Sequence, residues 1–344
     1  MLSKKQLAVL CAVAGLLLVA LLVQKILSPE PSLREELRLE ALAPEDFRTL
    51  DASRLEIYRG SREDDKVVLA REGGAWFVAT RYNAPANETK VGEFLKKIKN
   101  LQGELRSDEE AVLEDFRLTD ENALHVAVYR EGSEETWSHL LVGRQETFGR
   151  SFLRRAGESR VFAGNANLAT EAGIRDEEAD KSPESSPWVE KTVADLEKDQ
   201  ITRIALATPD YTYVFEKRAT ESAPQPDEAE APQVAEASWE WVLAEGGRKK
   251  TFKQSGVDGI VDRFDLLTAT DVEDPARTAE LGLAEPRYRC SVALADGSET
   301  VLLAAAPEEE NGDAYLQAEG RDTIYRIQWW QFEKLFPEPE NLFE

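Results

Sequence analysis

The residues with the widest chemical range are His125 and His139, fourteen apart on two strand-like runs that a short turn would join. Strands of one hairpin set such residues side by side, and two imidazoles with a carboxylate could hold zinc. No H-E-x-x-H helix and no paired cysteines accompany them, so the spacing favours structural histidines and implies neither metal nor cofactor. Cys11 falls in an apolar N-terminal run and Cys290 in a strand-like stretch from Arg287 to Leu294, which leaves no plausible intramolecular disulfide. Cys290 has apolar neighbours and no histidine close in sequence, the setting of a buried structural thiol. The acidic runs Asp108-Glu109-Glu110 and Glu308-Glu309-Glu310 lack calcium-loop spacing with its glycine, and read as solvated loops. No G-x-x-x-x-G-K-[ST] loop and no G-x-S-x-G elbow is present, so no catalytic residue is assigned. The tryptophans offer contact rather than reaction. Trp76 and Trp241 occupy the same place in two similar strands, where a repeated aromatic fills a core slot. Trp329 and Trp330, followed by Phe332 and Leu335, suggest a closing amphipathic helix that leaves one indole exposed as a contact surface.

The elements that carry these residues occur twice, at a shift of about 165 residues. Arg54-Leu55-Glu56-Ile57 answers Arg203-Ile204-Ala205-Leu206, the run Lys66 to Ala70 answers Tyr211 to Glu216, and Ala75-Trp76-Phe77-Val78 answers Glu240-Trp241-Val242-Leu243. A helix follows each set. Val91, Phe94, Leu95, Ile98 and Leu101 in the first, and Val257, Ile260, Val261, Phe264 and Leu267 in the second, repeat at three and four residues and make one apolar stripe. Phe116-Arg117-Leu118 then matches Leu281-Gly282-Leu283, and two hairpins follow in each copy, the first turning at Gly132 or Gly297. Strands joined by short loops imply antiparallel sheets, so the expected fold is α+β: two tandem modules, each a sheet with one main amphipathic helix. The expected boundaries are a tip and transmembrane anchor over 1–27, a charged stalk over 28–50, and a first module over 51–172. An acidic linker with a short helix over 173–199 and a second module over 200–338 follow, the latter interrupted by a disordered insertion over 219–237.

Composition narrows the setting. With 66 acidic against 42 basic residues the net charge is −24, which repels phosphate backbones and excludes nucleic acid as a favoured partner. Leu7 to Val23 contains no charge, spans 17 residues and lies between Lys4-Lys5 and Lys25, without a small-x-small cleavage site. That pattern predicts an uncleaved single-pass helix in the inner (cytoplasmic) membrane. The lysines keep the N-terminus in the cytoplasm and place the modules in the periplasm or cell exterior.

The order of anchor, paired strands, Trp strand, helix, turn and hairpins resembles the bacterial family known as domain of unknown function 4340. The residues that carry the likeness are Trp241-Val242-Leu243, the helix from Val257 to Leu267, Leu281-Gly282-Leu283-Ala284-Glu285-Pro286, Asp296-Gly297-Ser298 and Ala314-Tyr315-Leu316. The first copy matches through Trp76-Phe77-Val78, Leu141-Val142-Gly143-Arg144 and Phe152-Leu153-Arg154-Arg155, but carries Phe116-Arg117-Leu118-Thr119 where the Leu-Gly-Leu turn belongs. The resemblance spans roughly residues 50 to 335 as two tandem copies. It implies an anchored envelope protein, some members standing beside ABC transporter permeases, and no established reaction. The expected function is therefore non-enzymatic: a protein-interaction or accessory subunit, with an envelope protein such as an ABC transporter subunit as partner. A binding module for cell-wall glycan is the alternative, and a hydrolase with an unrecognised carboxylate site the third reading.

Overall fold

The computed structural model describes residues 39–147, 149–175, 180–220, 238–246 and 251–344. The expected anchor and most of the expected insertion lie outside these residues. Among the described residues no helix is long and apolar enough to cross a membrane.

Antiparallel sheets dominate. Ten strands build the first sheet: β1 (Leu39–Ala41), β2 (Ala52–Arg59), β3 (Arg62–Glu72), β4 (Ala75–Val78), β5 (Ala84–Pro85), β6 (Gln102–Ser107), β7 (Leu124–Arg130), β8 (Thr136–Thr147), β9 (Arg150–Arg155) and β10 (Val161–Gly164), in the order β1-β6-β10-β9-β8-β7-β2-β3-β4-β5. The linker strand β11 (Thr192–Ala194) pairs with β15 (Leu267–Thr268). The remaining strands are β12 (Ile201–Ala207), β13 (Thr212–Thr220), β14 (Ser238–Glu245), β16 (Asp271–Glu273), β17 (Tyr288–Leu294), β18 (Glu299–Ala305), β19 (Asp313–Ala318) and β20 (Ile324–Gln328). They form an eight-stranded sheet in the order β14-β13-β12-β17-β18-β19-β20-β16. Read from β4 to β6, the first sheet has the same connectivity as the second from β14 to β16.

One face of each sheet is covered by a helix. In α1 (Glu88–Lys99) the Asn87 side chain caps the start by accepting from the Lys90 amide at 2.9 Å, and Lys96, Lys97 and Lys99 crowd the negative end of the helix dipole. Leu168–Glu171 forms a single turn, α2. Val91, Phe94, Leu95 and Ile98 of α1 are buried against Leu55, Ile57, Leu69, Val126 and Leu140. In α3 (Gln254–Asp265), Val257, Ile260, Val261 and Phe264 are buried at the same spacing against Ile204, Leu206, Phe215 and Val292. The helix α4 (Trp329–Leu335) closes the second core with Phe332 and Leu335.

Each helix also needs a cover on its outer side, and the chain leaving each unit supplies it. The amide of Asn87 donates to the Trp188 carbonyl at 2.8 Å, and Glu190 donates to Pro85 at 2.8 Å. In the second unit Lys253 donates to Leu342 at 2.7 Å and Glu344 to Thr251 at 3.0 Å, so the strap recurs. Trp188 is fully buried, edge-on to Phe94 at 5.2 Å, and the Lys90 ammonium lies 4.6 Å from its ring centroid. Leu342 is fully buried in the second core.

Four boundaries differ from expectation. The stalk ends early: β1 joins the first sheet, and Leu42 and Phe47 enter its core because they are the apolar residues available to close that edge. Among its described residues the linker forms no α-helix; a 3₁₀ turn at Ser186–Trp188 gives way to β11, as Pro187 and the β-branched Val189, Thr192 and Val193 favour. Ala219 and Thr220 belong to β13 and not to the insertion. The second unit runs beyond 338, since α5 (Pro339–Leu342) and its strap complete it.

The units touch. Glu190 bonds the first unit while the next residue, Lys191, accepts from Ala269 of the second at 2.7 Å. Arg81 Nη2 donates to Asp271 Oδ2 at 2.5 Å, and Val272 joins the first core. Because Leu342 is fully enclosed at the strap, Leu342→Ala should destabilise the chain by about 2–4 kcal/mol. Urea unfolding followed by tryptophan fluorescence checks this, and an unchanged midpoint would deny the strap its role.

Candidate functional site

The face of the first sheet turned away from α1 gathers the chemically capable side chains. Antiparallel pairing of Tyr58 with His125, Ala127 with His139, and Leu141 with Arg154 places all of them on that face. The expected closeness of the two histidines is present: His125 Nδ1 and His139 Nε2 lie 2.9 Å apart. His125 Nε2 lies 2.7 Å from the Asp120 carbonyl, which can only accept. That nitrogen therefore carries the proton, Nδ1 of neutral His125 accepts, and His139 donates through Nε2. Tyr58 stacks on His125 at 4.7 Å.

Burial is the main cause that lowers the pKa of both imidazoles, and His139 is pushed down to about 4 with His125 adding to the fall. Burial also raises the Tyr58 phenol to about 12. At neutral pH the pair is uncharged. The chain of hydrogen bonds ends on a carbonyl, which cannot take a proton, so it holds a loop and is a poor proton relay. The nitrogens that a metal would need face each other across a shared hydrogen, and no cluster of three ligating side chains occurs among the described residues.

The loop held this way is held twice. Arg154, 4% exposed, donates from Nε to Leu118 O at 2.5 Å, from Nη1 to Glu158 O at 3.0 Å and from Nη2 to Asp120 Oδ1 at 2.5 Å. Gly143 permits the approach, since a Cβ there would lie 2.1 Å from Phe116 O. The second unit has neither histidine: register puts Arg289 at the place of His125 and Val301 at that of His139. The histidine pair is thus a specialisation of the first unit and no requirement of the fold. His139 lines an open cleft of about 670 Å³ together with Glu40, Glu45, Trp137, Arg155 and Glu158.

The other assigned residues separate cleanly. Trp76 and Trp241 are 7% and 6% exposed and fill their cores. Cys290 is fully buried on the core face, where desolvation drives its thiol pKa upward. The acidic runs at 108–110 and 308–310 are exposed. Trp329 is half-buried, while Trp330 is 37% exposed with the Lys334 ammonium 5.2 Å and the Arg263 guanidinium 5.9 Å from its ring. Sequence reasoning missed Trp239, 57% exposed, and Leu266, 61% exposed. Alternation along β14 puts Trp239 on the face of Trp241, but the flank of α3 beside it is polar and not part of the apolar stripe. Trp239 instead lines a cleft of about 460 Å³ with Gln254, Asp258 and Asp262.

A single span, residues 76–245, matches the family described as Domain of unknown function (DUF4340). It begins at the Trp strand of the first unit and ends with that of the second, so the match is one copy across both units and not one per unit. No curated protein matches the chain, and no solved structure does.

A neutral, half-buried His139 contributes stability that is present above pH 6.5 and lost as pH falls toward its folded pKa of about 4, because the unfolded chain takes the proton first. Allowing for the ring's partial exposure, this amounts to about 2 kcal/mol. Subtracting the stability profile of His139→Asn from that of the wild type between pH 7 and pH 4 should isolate this slope. A flat difference would mean that the imidazole is free to charge in place.

Proposed function

We propose that this chain is a non-enzymatic accessory protein of the bacterial envelope, held to the inner membrane by its N-terminal apolar segment and binding an envelope protein through its second unit. The observation that carries the reading is the exposure of Trp330 and Leu266 on adjoining ends of α4 and α3. Large apolar side chains that a folded core leaves uncovered are what an interface uses as anchors. The uncharged 17-residue run and its flanking lysines support the tether and the outward placement of both units. The family resemblance supports an ABC-type transporter subunit as the class of partner. Nucleic acid is disfavoured by the net charge of −24.

Crosslinking in intact cells, then capture of the solubilised chain, should enrich an envelope protein complex with wild type, and the paired change Trp330→Ala with Leu266→Ala should reduce the yield at least several-fold. Equal yields would remove this surface from the interface. Because the C-terminal strap is part of the second core, the affinity tag belongs in the segment 221–237.

One observation favours cell-wall glycan binding as a second reading. The cleft at Trp239 places an exposed indole beside two carboxylates and an amide, groups that stack on and hydrogen-bond to sugars. Sedimentation with purified peptidoglycan should then carry down the wild type and leave Trp239→Ala in solution. If both remain in solution, the glycan reading fails.

A further inference from the structure

Among the described residues, Arg59 is the buried charged side chain that has no ion pair. It closes strand β2, is 6% exposed, and makes one hydrogen bond, from Nη1 to the Asn122 carbonyl at 3.0 Å. Its Nε is buried without a partner, and no described carboxylate forms an ion pair with it. Arg154 shows what a settled buried arginine looks like in the same unit, with Nε, Nη1 and Nη2 all donating and a carboxylate among the acceptors. A guanidinium does not discharge by losing its proton, so burial without an anion is costly.

A second cation stands on the loop to which this strand end is bonded, and its backbone is strained. Arg117 sits at φ 54°, a left-handed conformation that costs a side chain about 1 kcal/mol. It is half exposed, with Nη1 3.7 Å from Asp180. The backbone binds the two arginines' neighbourhoods together: Gly60 donates to Ala123 O and Ser61 to Glu121 O, on the loop that begins at Arg117. Burial is the main cause that holds the Arg59 pKa below its ordinary value; Asp180 works against that fall and Arg117 adds to it.

The second unit supplies the control. Its strand order is the same, yet Thr208 follows β12 where Arg59 ends β2, and Gly282, at φ 73°, takes the turn that Arg117 takes at φ 54°. The turn itself therefore asks for glycine, and the fold asks for neither arginine. Both substitutions add positive charge at one end of the first sheet in a chain whose net charge is −24.

We propose that Arg59 and Arg117 form a binding site for a small oxyanion, the phosphate or carboxylate group of a solute, with Arg59 as the buried floor and Arg117 as the exposed rim. Guanidinium groups match both anions through paired N–H donors. Asp180, 91% exposed, occupies the rim weakly and is displaced when the ligand enters. This site is independent of the Trp330 surface and stands or falls without it.

The detergent-solubilised full chain tests this by thermal unfolding in inorganic phosphate, in acetate and in chloride at equal ionic strength. Phosphate or acetate should raise the wild-type midpoint by about 3 °C over chloride, and whichever acts identifies the anion class. Arg59→Met should lose that increment. Arg117→Gly should raise the midpoint in chloride, because it removes the strained turn, while also losing most of the anion increment. If Arg59→Met does not fold, the opposite signs expected for Arg117→Gly still decide the matter. No increment in the wild type, or the same increment in Arg117→Gly, overturns the site, the latter marking a general salt effect.

Discussion

The fold depends on covering one helix from two sides. A stripe of four buried residues, repeated in α1 and α3, turns each helix onto a sheet, but a helix so short leaves its flank and its first amides open. The straps at Trp188 and Leu342 meet both needs with one device: a backbone carbonyl that accepts from the amide of the residue before the helix, and an apolar side chain laid on its flank. Sheet, helix and strap are mutually dependent, which is why the connection leaving the first unit is a structural member of it. The same logic explains why Leu342 and Phe343 are buried.

Much of this was legible in the sequence, for a physical reason. Strand alternation and the three-and-four spacing of Val91, Phe94, Leu95 and Ile98 are periodic, and periodic burial leaves a periodic trace. The closeness of His125 and His139 followed from the hairpin that joins their strands. What was not legible is aperiodic. Leu42, Phe47, Trp188 and Leu342 fall outside any sustained helix or strand period, and their burial is decided by distant partners. Trp239 failed the other way, because alternation named the right face of the sheet but not the polar flank of α3, with Gln254, Asp258 and Asp262, that lies beside it. Arg59 and Arg117 carried a signal only when the two units were set side by side, as departures from Thr208 and Gly282.

That comparison gives the chain an internal reference. Features held in both units, such as Trp76 with Trp241 and the positive-φ turn, answer to folding. Features confined to one, such as the histidine pair, Arg154 and the unpaired Arg59 in the first or Trp239 and Trp330 in the second, are free of that demand. The first unit has gathered polar side chains against its loop, and the second has left indoles outward. The copies have diverged in surface and kept one architecture.

The junction between them contains no slack. Glu190 is bonded to the first unit and Lys191, its immediate neighbour, to the second, with Arg81 and Asp271 joined a short way off. A hinge needs residues whose dihedral angles can turn without breaking bonds, and here none lies between the two anchorages. The pair of sheets is therefore a stiff lever, so that a push delivered at one end arrives at the other as displacement instead of being absorbed as bending.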